Sequence, residues 1–137
     1  MENSLKLSGN GPVVLVDDDP VDVLLMRRCY EASAVNNDFL WLGSGLALME
    51  YLRDAQNGKV EMPALILLDL HMPGLDGLQT LKLIEALPGD NRPGVLVFSH
   101  SQNPWHKEKA SRLGAIAWRL KPSGAEETIE YLNSLVA

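Results

Sequence analysis

Asp69 closes an aliphatic run, residues 64–69, and a Pro-Gly pair follows at 73–74. A strand apolar on both faces is a costly place to end in a charge, unless its carboxyl end opens into a site where cations or hydrogen bonds compensate. For Asp69 alone a turn cap is the plain alternative, since Asp is common in turns. Asp17 and Asp18 repeat the pattern after Val13-Val14-Leu15-Val16, and two further apolar runs stop at Ser99 and at Lys121. Carboxylates gathered at neighbouring strand ends repel one another and require a cation or raised pKa values. Ligands that are all oxygen favour a hard divalent ion, and Mg2+ suits a few carboxylates completed by water and a phosphoryl oxygen. Lys121 supplies a movable positive charge and Ser99 a hydroxyl donor, together able to hold phosphoryl oxygens. One carboxylate is then free to act as nucleophile, so the chemistry read from these residues is phosphoryl transfer to an aspartate.

Such a set must be positioned by alternating strands and helices. The first apolar run ends in Asp17-Asp18-Asp19-Pro20, with Asp19 placed to cap a helix and Pro20 to start it. Val21, Leu24, Leu25, Cys29 and Ala32 mark that helix's apolar stripe. Phe39–Leu42 reads as a second strand, followed by a helix carrying Leu48, Leu52 and Ala55 and a polar loop from Gln56 to Glu61. After the central strand, Leu78, Leu81, Ile84 and Leu87 form a stripe ended by Pro88-Gly89. Val95–Phe98 is the fourth strand. Pro104 to Leu113 has helix formers but few apolar anchors, which predicts a lightly held helix. Ala115 to Leu120 is the fifth strand, and Ala125, Ile129, Leu132 and Val136 face the last helix inward. Five strands alternating with five helices predict a parallel sheet with helices on both faces and functional groups beyond the strand carboxyl ends.

The 137 residues fit one domain spanning 12–137, with no room for an output domain, after a loose polar tail over 1–11. A formal charge of -6 and the absence of basic clusters argue against a nucleic-acid or anionic-membrane surface. The single cysteine, Cys29, excludes an intrachain disulfide and reads as a small core hydrophobe. No signal-peptide pattern or membrane-length apolar run occurs, so a soluble cytoplasmic protein is expected. His100 and His106 lack partners at ligand spacing and read as surface residues, and Trp41 reads as core.

The fragments VLVDDDP, LILLDLHMPGLDGL, VLVFS and WRLKP, in this order and spacing, resemble the receiver domain of two-component response regulators of the chemotaxis single-domain type. The resemblance covers residues 12 to about 136. It implies a flavodoxin-like sheet of order 2-1-3-4-5, an arrangement for which the chemotaxis member is a standing example. It further implies Asp69 as phosphoacceptor, with Asp17, Asp18, Asp69 and the backbone carbonyl of His71 holding Mg2+ or Mn2+. Ser99 and Lys121 become phosphoryl-binding residues, Ser99 and Trp118 the switch, and the Lys121-Pro122 bond is expected to be cis. His71 and Ser101 fall at the two variable positions that influence phosphoryl lifetime. The implied partners are a sensor histidine kinase or phosphotransfer protein, and a downstream protein contacting the face of the fourth helix, fifth strand and fifth helix. Such a domain is a phosphoacceptor, monomeric or weakly dimeric, and not an enzyme acting on other substrates. Ser99 stands where Thr is commoner, and Trp118 is larger than the usual Tyr or Phe. The polar stretch Gln56 to Glu61 bears a faint resemblance to single-domain regulators paired with phytochrome-like kinases.

Two rivals remain. Asp17-x-Asp19-x-Val21 after an aliphatic strand fits the opening motif of haloacid-dehalogenase-type phosphatases, with Asp17 as nucleophile and Asp19 as acid/base. That reading leaves Asp69 without a role and finds no acidic metal motif after Lys121. A receiver-like interaction domain that is never phosphorylated is the other, and the full set of acids, Ser99 and Lys121 speaks against it.

Overall fold

Short apolar runs bounded by turn residues become β1 (Val13–Val16), β2 (Phe39–Leu42), β3 (Leu65–Asp69), β4 (Val95–Ser99) and β5 (Ala117–Leu120). They alternate with α1 (Pro20–Ala32), α2 (Gly45–Gln56), α3 (Gly77–Glu85), α4 (Pro104–Arg112) and α5 (Ala125–Ser134). These elements are those of a computed structural model, which describes residues 6–7, 9–72, 74–89, 92–100, 103–121 and 124–136. Pro122, and with it the expected cis bond, and Ser101 lie outside the described residues.

The strands form one parallel sheet of order β2-β1-β3-β4-β5, the flavodoxin-like order expected. β1, β3 and β4 are buried along their whole length, as strands covered by helices on both faces must be. One apolar layer, on the side of α1 and α5, joins Leu15, Leu67 and Phe98 to Val23, Tyr30, Tyr131 and Leu132. The opposite layer joins Val14, Ile66 and Val97 to Leu48, Leu52, Leu81, Ile84 and Ala110. Alternate residues of each strand serve opposite layers, which is the pleat expressed as packing.

Helix starts follow local chemistry. Asp19 accepts from the Val21 amide with Pro20 in the first turn, as the spacing predicts. Asp76 and Gln79 make a reciprocal capping box at α3. Gly77 is required there: a Cβ would come within 2.5 Å of the Leu70 Cα and 2.6 Å of the Asp69 carbonyl oxygen.

Several expectations are corrected. On α1, Val21, Leu24 and Leu25 are 63%, 48% and 55% exposed, and the buried residues are Val23, Cys29 and Tyr30. Apolar side chains cover so much of that helix that periodicity alone picks the wrong arc. The Tyr30 hydroxyl donates to the Asn37 carbonyl at 2.5 Å while the ring meets Phe39 at 4.9 Å, so a residue with a polar tip is buried with that tip satisfied. On α5, Thr128, Tyr131 and Leu132 face inward, whereas Ala125 is exposed, as is Val136, which lies past the helix end. Trp41 is 39% exposed, because β2 is an edge strand, and is not core. The segment read as a loose tail is fastened where it is described. The Leu7 amide donates to the Leu135 carbonyl at 2.9 Å, and the Asn37 side-chain amide reaches the carbonyls of Gly9 and Gly11.

Candidate functional site

The sheet order brings the ends of β1, β3, β4 and β5 side by side, and the polar residues standing there come with them. Asp17 follows β1 directly and is 2% exposed. Every part of it is engaged. Its Oδ1 accepts from the Asp19 amide at 3.0 Å, its Oδ2 from the Lys121 ammonium at 2.9 Å, and its carbonyl from the Trp41 indole N–H at 2.8 Å. Asp18 is exposed. Asp69 is the last residue of β3, buried, with its Oδ1 accepting a long bond of 3.4 Å from the His71 amide. Oxygens of Asp17, Asp18 and Asp69 lie within 4.8 Å of one another.

Lys121 leaves β5 after its amide donates to the Ser99 carbonyl at 2.9 Å, a continuation of the ladder that fixes where the side chain starts. Its ammonium sits 2.9 Å from Asp17, 2.9 Å from Asp22 and 3.7 Å from Asp69. Burial works against its charge. The hydrogen bonds to Asp17 and Asp22 and the nearby Asp69 charge outweigh that and raise its pKa above the ordinary lysine range. Burial pushes the Asp69 carboxyl above the usual carboxylate range, with Asp17 adding to the rise and Lys121 opposing it. The hydrogen bond from Lys121 is the main cause that holds Asp22 below the usual range. The site therefore keeps a permanent cation beside an acid whose charged form is disfavoured until more positive charge arrives.

Ser99 ends β4 fully buried, in register with Leu120 of β5. Trp118, in register with Val97, is 9% exposed and packs in the layer of α2, α3 and α4. Its indole is already inward, so the swing from an outward position has no outward starting point here. The exposed His71 ring stands edge-on to His106 of α4 at 5.7 Å, and His106 meets Trp105 at 5.2 Å. α4 buries only Ala110, as its thin stripe predicts.

Three contributions were not read from the sequence. An acid in a helix first turn, as Asp22 is, needs no partner beyond the helix dipole, and only the meeting of α1 with the end of β5 reveals Lys121 as its partner. Trp41 was assigned to the core, and its indole instead holds the Asp17 carbonyl. The ring contact between His71 and His106 joins residues far apart in the chain. An acid three residues past the Asp19 cap, able to face a lysine, was the one signal available beforehand.

Three carboxylates with converging oxygens and no sulfur or nitrogen donor among them fit a hard divalent ion. Nothing in the geometry favours the phosphatase reading, since Asp69, for which it has no role, stands in the same cluster as Asp17 and Asp18. Among the described residues, no helix is long and apolar enough to cross a membrane.

Comparison with known proteins gives the same answer. The chain is 35% identical over 94 residues to the response regulator Rcp1 of Synechocystis, spanning 66% of this chain and 63% of Rcp1. It is 27% identical over 124 residues to FilR2, a probable methanogenesis regulatory protein of Methanothrix harundinacea, covering 88% and 80% of the two chains. The structure superposes on the Mn2+-bound form of Rcp1 with a TM-score of 0.77 at 25% identity, over 91% of each chain. It superposes on the phosphorylated cyanobacterial phytochrome response regulator RcpA with a TM-score of 0.79 at 26% identity, over 93% and 91% of the chains. The model of the response regulator receiver domain matches residues 13–133, and the chain belongs to that family of phosphoacceptor signalling domains.

Proposed function

We propose that Asp69 is the phosphoacceptor of this receiver, and that its donor is the phosphohistidine of a sensor histidine kinase or phosphotransfer protein. The observation that carries the reading is the convergence of Asp17, Asp18 and Asp69 with the Lys121 ammonium 3.7 Å from the Asp69 oxygen. Asp17, Asp18, Asp69 and the His71 carbonyl would hold Mg2+, or Mn2+ as the manganese-bound relative suggests. Such an ion neutralises phosphoryl charge when bound.

In the transfer, an Asp69 carboxylate oxygen attacks phosphorus while the P–N bond to the donor imidazole breaks. The imidazole leaves with that bond's electron pair and takes up a proton, and an acyl phosphate remains on Asp69. Lys121 would move from its acid partners onto a phosphoryl oxygen, and Ser99 would offer its hydroxyl to another. Burial of Asp69 removes competing water from its charge, leaving these groups to set its reactivity.

The domain works as a phosphoacceptor and not as an enzyme on other substrates. Its output passes through protein contacts on the face of α4, β5 and α5, in a cytoplasmic protein that is monomeric or weakly dimeric and binds neither nucleic acid nor membrane. A net charge of -6 and the light anchoring of α4 support this. Because the chain spans 63% of Rcp1, these statements concern the receiver alone.

Intact-mass analysis after incubation with acetyl phosphate tests the assignment. One phosphoryl adduct is expected with Mg2+, none in chelator, and none in Asp69→Asn. An adduct that survives Asp69→Asn but disappears in Asp17→Asn would overturn it.

A further inference from the structure

Lys121 has two equally close acid partners, Asp17 and Asp22, both at 2.9 Å, while the acid it must serve in the proposed reaction stands further off at 3.7 Å. The two partners are not equivalent. Asp17 belongs to the proposed metal-binding set, but Asp22 comes from the first turn of α1, outside that set. Its carboxylate also lies 3.7 Å from the His100 Nε2, just past β4. Asp22 is half-buried, with 29% of its side chain exposed, and Lys121 is 13% exposed, so their pairing is shielded from solvent more than a surface ion pair would be.

We propose, on the reading of Asp69 as phosphoacceptor, that Asp22 is a positioning residue that parks the Lys121 ammonium away from Asp69 and competes with the phosphoryl group for it.

The competition follows from geometry. A lysine ammonium has three donors, and the flexible stem lets it choose among acceptors around it. In the resting site two donors are taken by Asp17 and Asp22. The third has the Asp69 oxygen at 3.7 Å, beyond hydrogen-bond distance, so the ammonium must shift toward Asp69 before that donor can grip a phosphoryl group there. A shift toward Asp69 is one that the Asp22 bond resists, because Asp22 is anchored on a different element, α1. A state in which Lys121 grips phosphoryl is therefore reached at the cost of that bond. The resting state is stabilised, and the equilibrium for holding a phosphoryl group is weakened by the same amount. Removing the competitor should strengthen phosphoryl binding, an outcome that simple damage to the fold does not produce.

Beryllofluoride with Mg2+, a phosphoryl mimic, provides the measurement through its affinity for the full chain, followed by calorimetry. Asp22→Asn is expected to bind about fivefold more tightly than wild type, the size of effect a partly shielded ion pair supports. Asp22→Glu keeps a carboxylate within reach of Lys121 and is expected to stay within roughly twofold of wild type. Asp19→Asn removes the same charge from the neighbouring turn and keeps the helix cap, without touching Lys121, and is also expected to change affinity by no more than about twofold. Unchanged or weaker binding by Asp22→Asn would overturn the proposal. So would an equal gain in Asp19→Asn, which would reduce the effect to general charge, or in Asp22→Glu, which would reduce it to packing. Wild type that fails to bind the mimic, or binding that survives Asp69→Asn, would instead remove the phosphoacceptor reading and this proposal with it.

Discussion

The indole N–H of Trp41, on edge strand β2, donates to the backbone carbonyl of Asp17 at 2.8 Å. An exposed aromatic thereby fixes the main chain between two acids, and the Asp17 amide donates back to the Leu42 carbonyl at 3.3 Å on the same strand. The β1–α1 turn is held from β2 as well as from Lys121. Phosphoryl chemistry that needs Asp17 and Asp18 in fixed places has that support outside the acid cluster.

From this contact Trp41 should report metal. Its indole is bonded directly to the Asp17–Asp18 segment. Mg2+ is expected to change tryptophan emission in wild type, and Trp41→Phe should lose most of that change. Loss of one hydrogen bond, worth about 1 kcal/mol, should also weaken Mg2+ binding by roughly fivefold. Equal emission changes in both proteins would disprove the link.

Asp69→Asn should stabilise the metal-free protein at neutral pH. Burial raises the folded pKa of Asp69 above its ordinary 3.8, so the folded state prefers the protonated acid and pays for ionisation as pH rises through that raised pKa. The asparagine variant carries no such penalty. Its Tm should exceed that of wild type at neutral pH. The gap should close as pH falls through the raised pKa and toward 3.8, where wild type is protonated in both states. Thermal melts across the acid range in chelator decide it; a lower Tm for the variant at pH 7 would contradict the argument.

Lys121→Met should act in the opposite direction. It leaves Asp17, Asp22 and Asp69 facing one another without their shared cation. Removing one side of a buried pair typically costs about 3 kcal/mol. Saturating Mg2+ should restore more stability to this variant than to wild type, because the ion is then the main source of positive charge. Urea titrations with and without Mg2+ provide the check. An equal Mg2+ gain in both proteins would rule this out.

Gly77→Ala should cost about 1–3 kcal/mol, as overpacking against fixed backbone does. The added methyl meets the Leu70 Cα and the Asp69 carbonyl, neither of which can turn aside as a flexible side chain would. Because the strain falls beside Asp69, phosphorylation by acetyl phosphate should slow as well. Denaturation midpoints and adduct formation measured on the same sample would reveal it.

Trp118 starts buried, so activation should be read in α4. With beryllofluoride and Mg2+ bound, amide exchange over α4 should change in wild type and not in Ser99→Ala, while β5 around Trp118 changes little. α4 is the element free to respond, with Ala110 its one buried residue. No change in α4 with the mimic demonstrably bound would exclude this route.

Much of this protein is local and therefore legible in the chain itself. Runs such as Val95–Ser99 are too short and too apolar for anything but buried strands, Asp19 and Pro20 announce a helix start, and the alternation of elements allows little besides a parallel sheet. The acids, Ser99 and Lys121 at strand ends follow from that sheet, because one carboxyl edge collects them. What the sequence left undecided is which way each helix turns and whom each side chain meets. Val21, Leu24 and Leu25 are as apolar as Val23 and Met26, and only docking of α1 on β1 and α5 selects the buried arc. Leu132 was recognised on α5, but Tyr131 was not, since its burial depends on Phe98 at 5.7 Å and on Arg119 over its ring at 4.2 Å. Asp22 meets Lys121 across 99 residues of sequence, and Trp41 meets Asp17 across 24. Periodicity describes a helix or strand against an unspecified interior; partners so distant in the chain exist only once the crossovers have set neighbouring elements at a fixed distance and rotation.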